Sequence, residues 1–581
     1  MIKSNIKKIE NDLNDILKLF FSTNYNKVDI NHTYIEEGEL CVNCFYLYGI
    51  KYYAIFNFAE YYANTDKTAA IKRTAKADLY NILVNITGKS STFGSVTGIR
   101  PVKLYKDTVA QFNALPELES LDKADRYFTD FLKVQPQKLH LIKKTYKVQS
   151  QIKKAKQNDC GVYIGIPFCN GKCRYCSFVS ADINKCGNLV EPYINALTKE
   201  IEALDGIVSE NNYNIRSIYI GGGTPSSLAY IFVERILKSV EVLTKNCNLF
   251  EYTFEAGRPD SINEELLKLL RKYKVNRISI NPQSANDNTL ELIGRGHKFE
   301  DIKKAFSLAK NFEFIINADI IAGLESENFS DFKNTVNKVL ELKPDNITVH
   351  TLCLKKGSDL KNTLIKANLA SKNNQLLNEN LSEEEIIDNE RETGEMAGFS
   401  DFCNNLLNLA KIANNISGDS LNKSELDIRD RTGAQIKDGF NIYKLNQNTD
   451  AHKKARMYLK NILEKNFEKA TEGIFQVSKM LEYAQKTLIS KGFEPYYVYR
   501  QKYSAENLEN VGYCKDKKVC FYNVDNMDDT VSILACGANG ITKQVNKNNR
   551  IERYANPKDI KTYTEKIDEI IENKRKLFKD K

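Results

Sequence analysis

Tyr163-Ile-Gly-Ile-Pro-Phe-Cys169-Asn-Gly-Lys-Cys173-Arg-Tyr-Cys176 is the stretch on which the reading of this chain turns. An apolar, strand-like run ends at Pro167-Phe168, and a C-x3-C-x2-C triplet follows at once. Soft thiolates favour iron–sulfur clusters or zinc over harder metals. Three of them in one tight loop can hold three irons of a 4Fe–4S cube. The fourth iron is then free to bind a small chelating molecule and pass it an electron. The competing arrangements are a structural zinc loop and three unrelated buried cysteines. Structural zinc takes four ligands, commonly from paired C-x2-C knuckles. Cys160 and Cys186 are the further cysteines near enough in sequence to supply a fourth.

Downstream of this loop, residues 156–357 repeat an apolar strand, a turn and an amphipathic helix. Strands are expected at Val162–Pro167, Ser217–Ile220, Tyr252–Ala256, Arg277–Asn281, Phe314–Ile321 and Asn346–Leu352, with helix-period segments such as Glu264–Tyr273 and Asp331–Leu342 between them. Such alternation predicts an α/β core, a parallel sheet with helices outside, either doubly wound or a partial barrel. Chemistry in such sheets sits at the C-terminal strand ends. The cysteine loop follows the first strand, and Gly221-Gly-Gly-Thr-Pro225 closes the second. Glu255 ends the third, Gln283 follows the fourth, and Asp319 interrupts the apolar fifth, where an unpaired carboxylate is costly.

The words YIGIPFC and CRYCSF resemble the radical S-adenosylmethionine (SAM) superfamily, and within it the oxygen-independent coproporphyrinogen III oxidase family. TGIRPVK (Thr97–Lys103), the PYYVYRQK strand (Pro495–Lys502) and NLENVGY (Asn507–Tyr513) are most similar to its HemZ type. The resemblance implies a radical SAM partial (β/α)6 barrel with an N-terminal α/β domain and a C-terminal α+β domain. It implies a 4Fe–4S cluster on Cys169, Cys173 and Cys176, with SAM on the open iron. Gly222, Gly223 and Thr224 would contact the SAM amino group, and Glu255 its ribose or amino acid part. Gln283, Arg295 of LIGRGH, Asp319 and Cys353 match further SAM-site positions. Tyr163 would flank SAM, and Tyr175 would lie inside the cluster loop. Tyr163, Glu255 and Arg295 are the expected catalytic positions.

The reaction so implied is reductive cleavage of SAM, hydrogen abstraction from coproporphyrinogen III propionates by a 5′-deoxyadenosyl radical, and loss of CO2 to leave vinyls. A flavodoxin- or ferredoxin-like electron donor and a porphyrinogen or haem-like small molecule would be its partners. One departure bears on the substrate: Phe178 stands where the decarboxylases carry a further cysteine. The haem-chaperone and haem-modifying branches of the superfamily also lack that cysteine, so a haem-binding chaperone is the main rival. That branch ends in a His-Asn…Tyr-Trp word, whereas this chain has Phe521-Tyr522-Asn523 and no tryptophan. A tRNA-modifying enzyme would show a basic appendage or a second triplet, and neither is found.

The remaining sequence sets the frame. The 581 residues allow three or four domains, divided here as 1–155, 156–357, 358–470 and 471–581. Residues 1–155 read as an α/β module with a helical start at Ile6–Phe21. Its Cys41-x2-Cys44 pair has odd spacing within a strand and is expected to be packing. Thr87-Gly-Lys-Ser90 lacks the upstream glycine of a phosphate loop. Arg100 and Lys103 could meet a carboxylate, beside a helix starting at Pro101. Residues 358–470 are Asn/Lys-rich, expected as a helical or partly disordered insertion. The tail carries an amphipathic helix through Val477 and Leu488, Arg500 and Lys502 as candidate propionate contacts, and a glycine-rich turn in Ile533–Lys543. Thirteen scattered cysteines argue for a reducing compartment, and a net charge of +9 without a basic block argues against nucleic acid. No signal peptide or membrane span is expected, and the location is read as cytoplasmic.

Overall fold

The computed structural model describes residues 2–21, 25–26, 28–37, 40–47, 50–57, 67–177, 181–353, 441–445, 468–500, 508–546 and 550–579. They fall into two compact units, Met1–Ile142 with Leu377–Glu472, and Lys143–Leu376 with Gly473–Lys581. Phe178, Lys502 and the 358–470 segment apart from 441–445 and 468–470 lie outside the described residues.

The first unit is a sheet of β1 (Ile2–Ser4), β2 (Ile30–Glu37), β3 (Leu40–Leu47) and β4 (Ile50–Asn57). β1 runs parallel to β2 and the other pairs are antiparallel. Asn441–Leu445, which is β13 in chain order, adds antiparallel to β4. Helix Glu10–Phe21 buries Leu13, Ile16, Leu17 and Phe20, the i, i+3, i+4, i+7 stripe of an amphipathic helix, against Phe45 and Leu83. It starts later than Ile6 because Ile2–Ser4 pairs with β2 and the Asn5 amide donates to the Tyr34 carbonyl at 2.7 Å. Cys41 and Cys44 are buried, Cys41 accepts a bond from the Tyr34 hydroxyl at 3.0 Å, and burial pushes its thiol pKa up, so a reactive thiolate is disfavoured. Thr87 ends helix Lys67–Thr87. Anions bind helix N-termini, and this is a C-terminus. Pro101 does begin a helix, Pro101–Gln111.

Within this unit a polar chain is buried: Ser4 Oγ lies 2.8 Å from His32 Nδ1, His32 Nε2 is 3.1 Å from Asn43 Oδ1, and Asn43 Nδ2 donates to Asp78 at 2.7 Å. Burial raises the Asp78 carboxyl to about 7 and lowers His32 to about 4. A carboxyl raised in the fold stabilises it fully below its unfolded pKa and loses that contribution as pH rises through the folded one. Asp78→Asn is therefore expected to raise the unfolding temperature at pH 8 by several degrees and to leave it nearly unchanged at pH 4. Differential scanning calorimetry at both pH values checks this, and an equal shift at both would contradict it. His32 acts oppositely, its contribution being lost as pH falls from 6.5 towards 4.

The second unit is built on one large sheet. Six strands, β5 (Asp159–Ile166), β8 (Asn214–Gly222), β9 (Glu251–Glu255), β10 (Arg277–Ser279), β11 (Ile315–Ala322) and β12 (Asn346–Thr351), lie side by side in chain order and all parallel. Between β5 and β8 a two-residue pair, β6 (Phe168–Cys169) and β7 (Ala181–Asp182), closes the cysteine loop. β14 (Glu494–Arg500) and β15 (Glu509–Cys514) extend the β12 edge antiparallel. On the other edge β16 (Ser532–Cys536) pairs parallel with β5, followed by antiparallel β17 (Ile541–Val545) and β18 (Ile551–Ala555). The stretch expected as a glycine-rich turn thus contains a seventh parallel strand. Its pairing partner lies some 370 residues away, so no local signal announces it. None of the described helices is long and apolar enough to cross a membrane.

At the opposite, N-terminal end of the sheet a buried salt bridge lies beside an apolar cluster that includes Val519 and Cys520. Arg277 on β10 lies 3.4 Å from Glu251 on β9 and donates to Asn346 Oδ1 at 2.6 Å and the Val519 carbonyl at 2.7 Å. Glu251 in turn accepts from the Phe521 and Tyr522 amides at 2.8 and 3.1 Å, which seats helix Phe521–Asp528 by its positive end. The glycine of NVGY has a packing reason: a Cβ on Gly512 would stand 2.0 Å from the Tyr497 ring. Arg500, considered above for propionates, is buried opposite Glu509 on β15, and burial lowers it to about 10.

Candidate active site

Because the six core strands are parallel, their C-terminal ends gather on one side, and the cysteine loop leaves from β5 there. Its backbone is pinned at several points. The Thr224 amide donates to the Phe168 carbonyl at 2.7 Å, and Ile183 donates to the Cys169 carbonyl at 2.9 Å. Arg174 ties the loop to the chain after β10, its amide to Ile293 at 3.0 Å and its guanidinium to Leu292 at 3.2 Å. Arg258, after β9, donates to the Asn170 carbonyl. Cys169 Sγ sits 3.4 Å from Thr224 Oγ1. A Cβ on Gly223 would lie 2.4 Å from the Phe168 carbonyl and 2.9 Å from Cys169 Sγ, so the close approach of the GGGTP turn to the loop requires glycine.

Cys169, Cys173 and Cys176 are half-buried and reduced. Among the described residues, no three His, Cys, Asp or Glu side chains converge on one single-ion position. A single zinc ion draws every ligand to about 2.0–2.3 Å from one point. A cube places each thiolate on a different iron, which three cysteines on one pinned loop could do.

The neighbouring strand ends hold the other expected residues. Glu255 Oε1 accepts from the Tyr219 hydroxyl at 2.5 Å and Oε2 from the Gly222 amide at 3.1 Å. Burial raises Glu255 to about 7, Asp319 adds to the rise, and the two hydrogen bonds and His350 oppose it. Asp319 Oδ1 accepts from Asn317 at 2.7 Å, and Oδ2 is 3.7 Å from His350 Nε2. Burial pushes its pKa up, but His350 and these hydrogen bonds win and hold it below the usual value. Gln283 is attached through the backbone, donating to the Asp319 carbonyl at 2.8 Å, with a left-handed φ of 66°. Arg295 donates to the Asn281 carbonyl at 2.5 Å and to Gly257 at 3.0 Å. Tyr175 is half-buried beside Cys173 and Arg295 and packs on Ile293 and Leu324. Cys353, just past β12, is half-buried.

Several buried polar atoms here have no hydrogen-bond partner among the described residues: Gln283 Oε1, Asn281 Oδ1, Arg295 Nε and both ring nitrogens of His297. Buried polar groups are ordinarily satisfied, so a group of orphans at one strand-end cluster marks a place shaped for a polar ligand. Arg258 and Tyr219 went unnoticed in the sequence, and Tyr522 figured there only in the Phe521-Tyr522-Asn523 comparison. Arg258 had a signal, the GRP after the third strand, while Tyr219 and Tyr522 read as ordinary core positions.

Residues 163–339 match the model of the radical SAM superfamily. The chain carries a radical SAM domain. That family uses a 4Fe–4S cluster and SAM, and the thiolate triplet and orphaned polar atoms fit them. The oxygen-independent coproporphyrinogen-III oxidase-like protein HemZ of Bacillus subtilis is 26% identical over 527 residues, covering 88% of this chain and 83% of the relative. The haem chaperone HemW of the same organism is 32% identical over 209 residues, covering 36% of this chain and 54% of its own length. A solved structure, coproporphyrinogen III oxidase (HemN) from Escherichia coli, aligns at a TM-score of 0.39 and 16% identity, over 73% of this chain and 72% of that one. The radical SAM domain is therefore related to both coproporphyrinogen oxidase-like proteins and haem chaperones.

Proposed function

We propose that this chain is a radical SAM oxidoreductase that decarboxylates the propionates of coproporphyrinogen III to vinyls in the cytoplasm, with reducing electrons from a flavodoxin- or ferredoxin-like donor. The observation carrying this reading is the span of the likeness to the HemZ relative, 88% of the chain, which reaches well beyond the radical SAM domain.

Cys169, Cys173 and Cys176 would hold three irons of the cluster. When bound, cluster and SAM supply a one-electron reductive cleavage that yields a hydrogen-abstracting carbon radical. Gly222, Gly223 and Thr224 present backbone to the amino group of SAM at the turn against the cysteine loop. Arg295, with its unpartnered Nε, and Gln283, with its unpartnered Oε1, would hold the amino acid part. Glu255 would receive ribose hydroxyls, and Asp319, kept ionised beside His350, would fix the β11 end. Tyr163 and Tyr175 would flank the ligand and exclude water, and Cys353 would line the β12 side. Exclusion of water limits quenching of a reactive intermediate.

A haem-binding chaperone is the second reading, supported by the 32% identity to HemW across the radical SAM domain. Anaerobic reconstitution with reductant, SAM and coproporphyrinogen III separates the two by mass spectrometry. Two successive losses of CO2 together with 5′-deoxyadenosine are expected. SAM cleavage with untouched porphyrinogen would sink the substrate, and tight haem binding without SAM cleavage would favour the chaperone.

A further inference from the structure

The carboxylate of Glu255 is held on both oxygens by this chain. Tyr219 Oη donates to Oε1 at 2.5 Å, and the Gly222 amide donates to Oε2 at 3.1 Å. A carboxylate has about four lone-pair positions, so roughly one on each oxygen remains for a ligand. A pair of neighbouring hydroxyls, as on a ribose, matches that remainder. Space for the clamp comes from Gly221, where a Cβ would fall 2.8 Å from both Glu255 Oε2 and the Tyr219 ring. The Tyr219 ring cannot swing freely. It stacks on Tyr522 at 4.7 Å and 27° and on Tyr163 at 6.3 Å and 21°, and Tyr163 and Tyr522 stack in turn at 6.1 Å. Tyr522 is itself fixed by the hydrogen bond that its backbone N–H donates to the Glu251 carboxylate.

We propose that Tyr219, locked by Tyr163 and Tyr522, is a positioning residue that orients the Glu255 carboxylate to receive the ribose hydroxyls of an adenosyl ligand. This rests on the SAM-site reading above. The groups facing Glu255 are Tyr163 on β5, Tyr219 on β8, Asp319 on β11, His350 on β12 and Tyr522 on its helix. Of these, Asp319 disfavours its ionised form, while Tyr219 and His350 favour it, and the Gly222 amide adds to them. Removing the Tyr219 hydroxyl should therefore move ionisation of Glu255 to higher pH.

The test is equilibrium binding of S-adenosylhomocysteine to the anaerobically reconstituted full chain between pH 6 and 9. In the unaltered chain affinity is expected to fall as pH drops through about 7. In Tyr219→Phe the midpoint should rise by about one unit, so that affinity near pH 7 drops by up to roughly tenfold. Glu255→Gln should flatten the profile, and a 2′,3′-dideoxy analogue should lose the pH dependence in the unaltered chain. A Tyr219→Phe profile superimposable on that of the unaltered chain, with Glu255→Gln still flat, overturns the positioning role alone. A lower melting temperature with an unmoved midpoint does the same, leaving Tyr219 as packing. Binding by the unaltered chain that ignores both pH and Glu255→Gln overturns the SAM-site reading itself.

Discussion

Cys169→Ala is expected to abolish the iron–sulfur absorption of the reconstituted chain and to lower SAM cleavage at least about a thousandfold, equivalent to roughly 4 kcal/mol of barrier. Cys169 is the member of the triplet tied most directly to the sheet. It ends the two-residue strand β6, its carbonyl accepts from Gly171 at 3.1 Å and Ile183 at 2.9 Å, and its sulfur touches the GGGTP turn. Two thiolates on the remaining loop could not replace it, because each would hold its own iron. Cys186→Ser is the informative control. Cys186 lies beyond β7, its amide bonded to the Asp182 carbonyl at 3.0 Å. A three-thiolate cluster predicts that this variant keeps its absorption and its iron content. Equal loss of metal in Cys186→Ser would point instead to a four-thiolate site, which metal analysis would assign to zinc or to a fully ligated cluster.

The largest effect on stability is expected at Glu200. Glu200 on helix Val190–Glu210 is paired with Lys574 in full burial, both side chains being 1% exposed. It also accepts from Tyr563 at 2.6 Å, Asn556 at 3.0 Å and the Gly537 amide at 2.7 Å. Lys574 reaches the Ala535 carbonyl as well. This hub pins the turn after β16, next to β5, whose Gly165 carbonyl is held by the Tyr193 hydroxyl at 2.6 Å. Glu200→Ala strands a buried ammonium, and breaking a buried pair in this way costs about 3–5 kcal/mol. For a unit of this size that corresponds to a fall of roughly 5 °C in its melting transition. The double variant Glu200→Met with Lys574→Met removes both charges and is expected to recover most of the loss, since a well-packed apolar pair is often no less stable than an ion pair. Calorimetry of the three proteins decides it. A Glu200→Ala transition within 1–2 °C of the unaltered protein would show that water reaches Lys574 and satisfies it.

The radical SAM core was legible because its cues are local. Strand, turn and helix recur with short connections, and each expected strand from β5 to β12 lies within a few residues of the one observed. The strand-end positions of the cysteine loop, GGGTP, Glu255 and Gln283 follow from parallel topology alone, since parallel strands place every C-terminal end on one side. The helix through Val477 and Leu488 and the strand at Glu494–Arg500 were readable for the same reason, a pattern within one element, whereas the strand at Glu509–Cys514 was not read as one.

What the sequence by itself determined is therefore the α/β core and the thiolate loop, because both are written in residues close together in the chain. Tertiary structure alone decided the seventh parallel strand, the Glu200–Lys574 hub and the tyrosine clamp on Glu255. In each, the partners are joined across long separations: β16 meets β5, Lys574 meets Glu200, and Tyr522 meets Tyr219 and Tyr163. A tyrosine at a strand's middle reads as core whether or not it donates to a carboxylate. Its role is set by which hydroxyl comes within 2.5 Å of Glu255, and strand order and register, not local propensity, choose that neighbour.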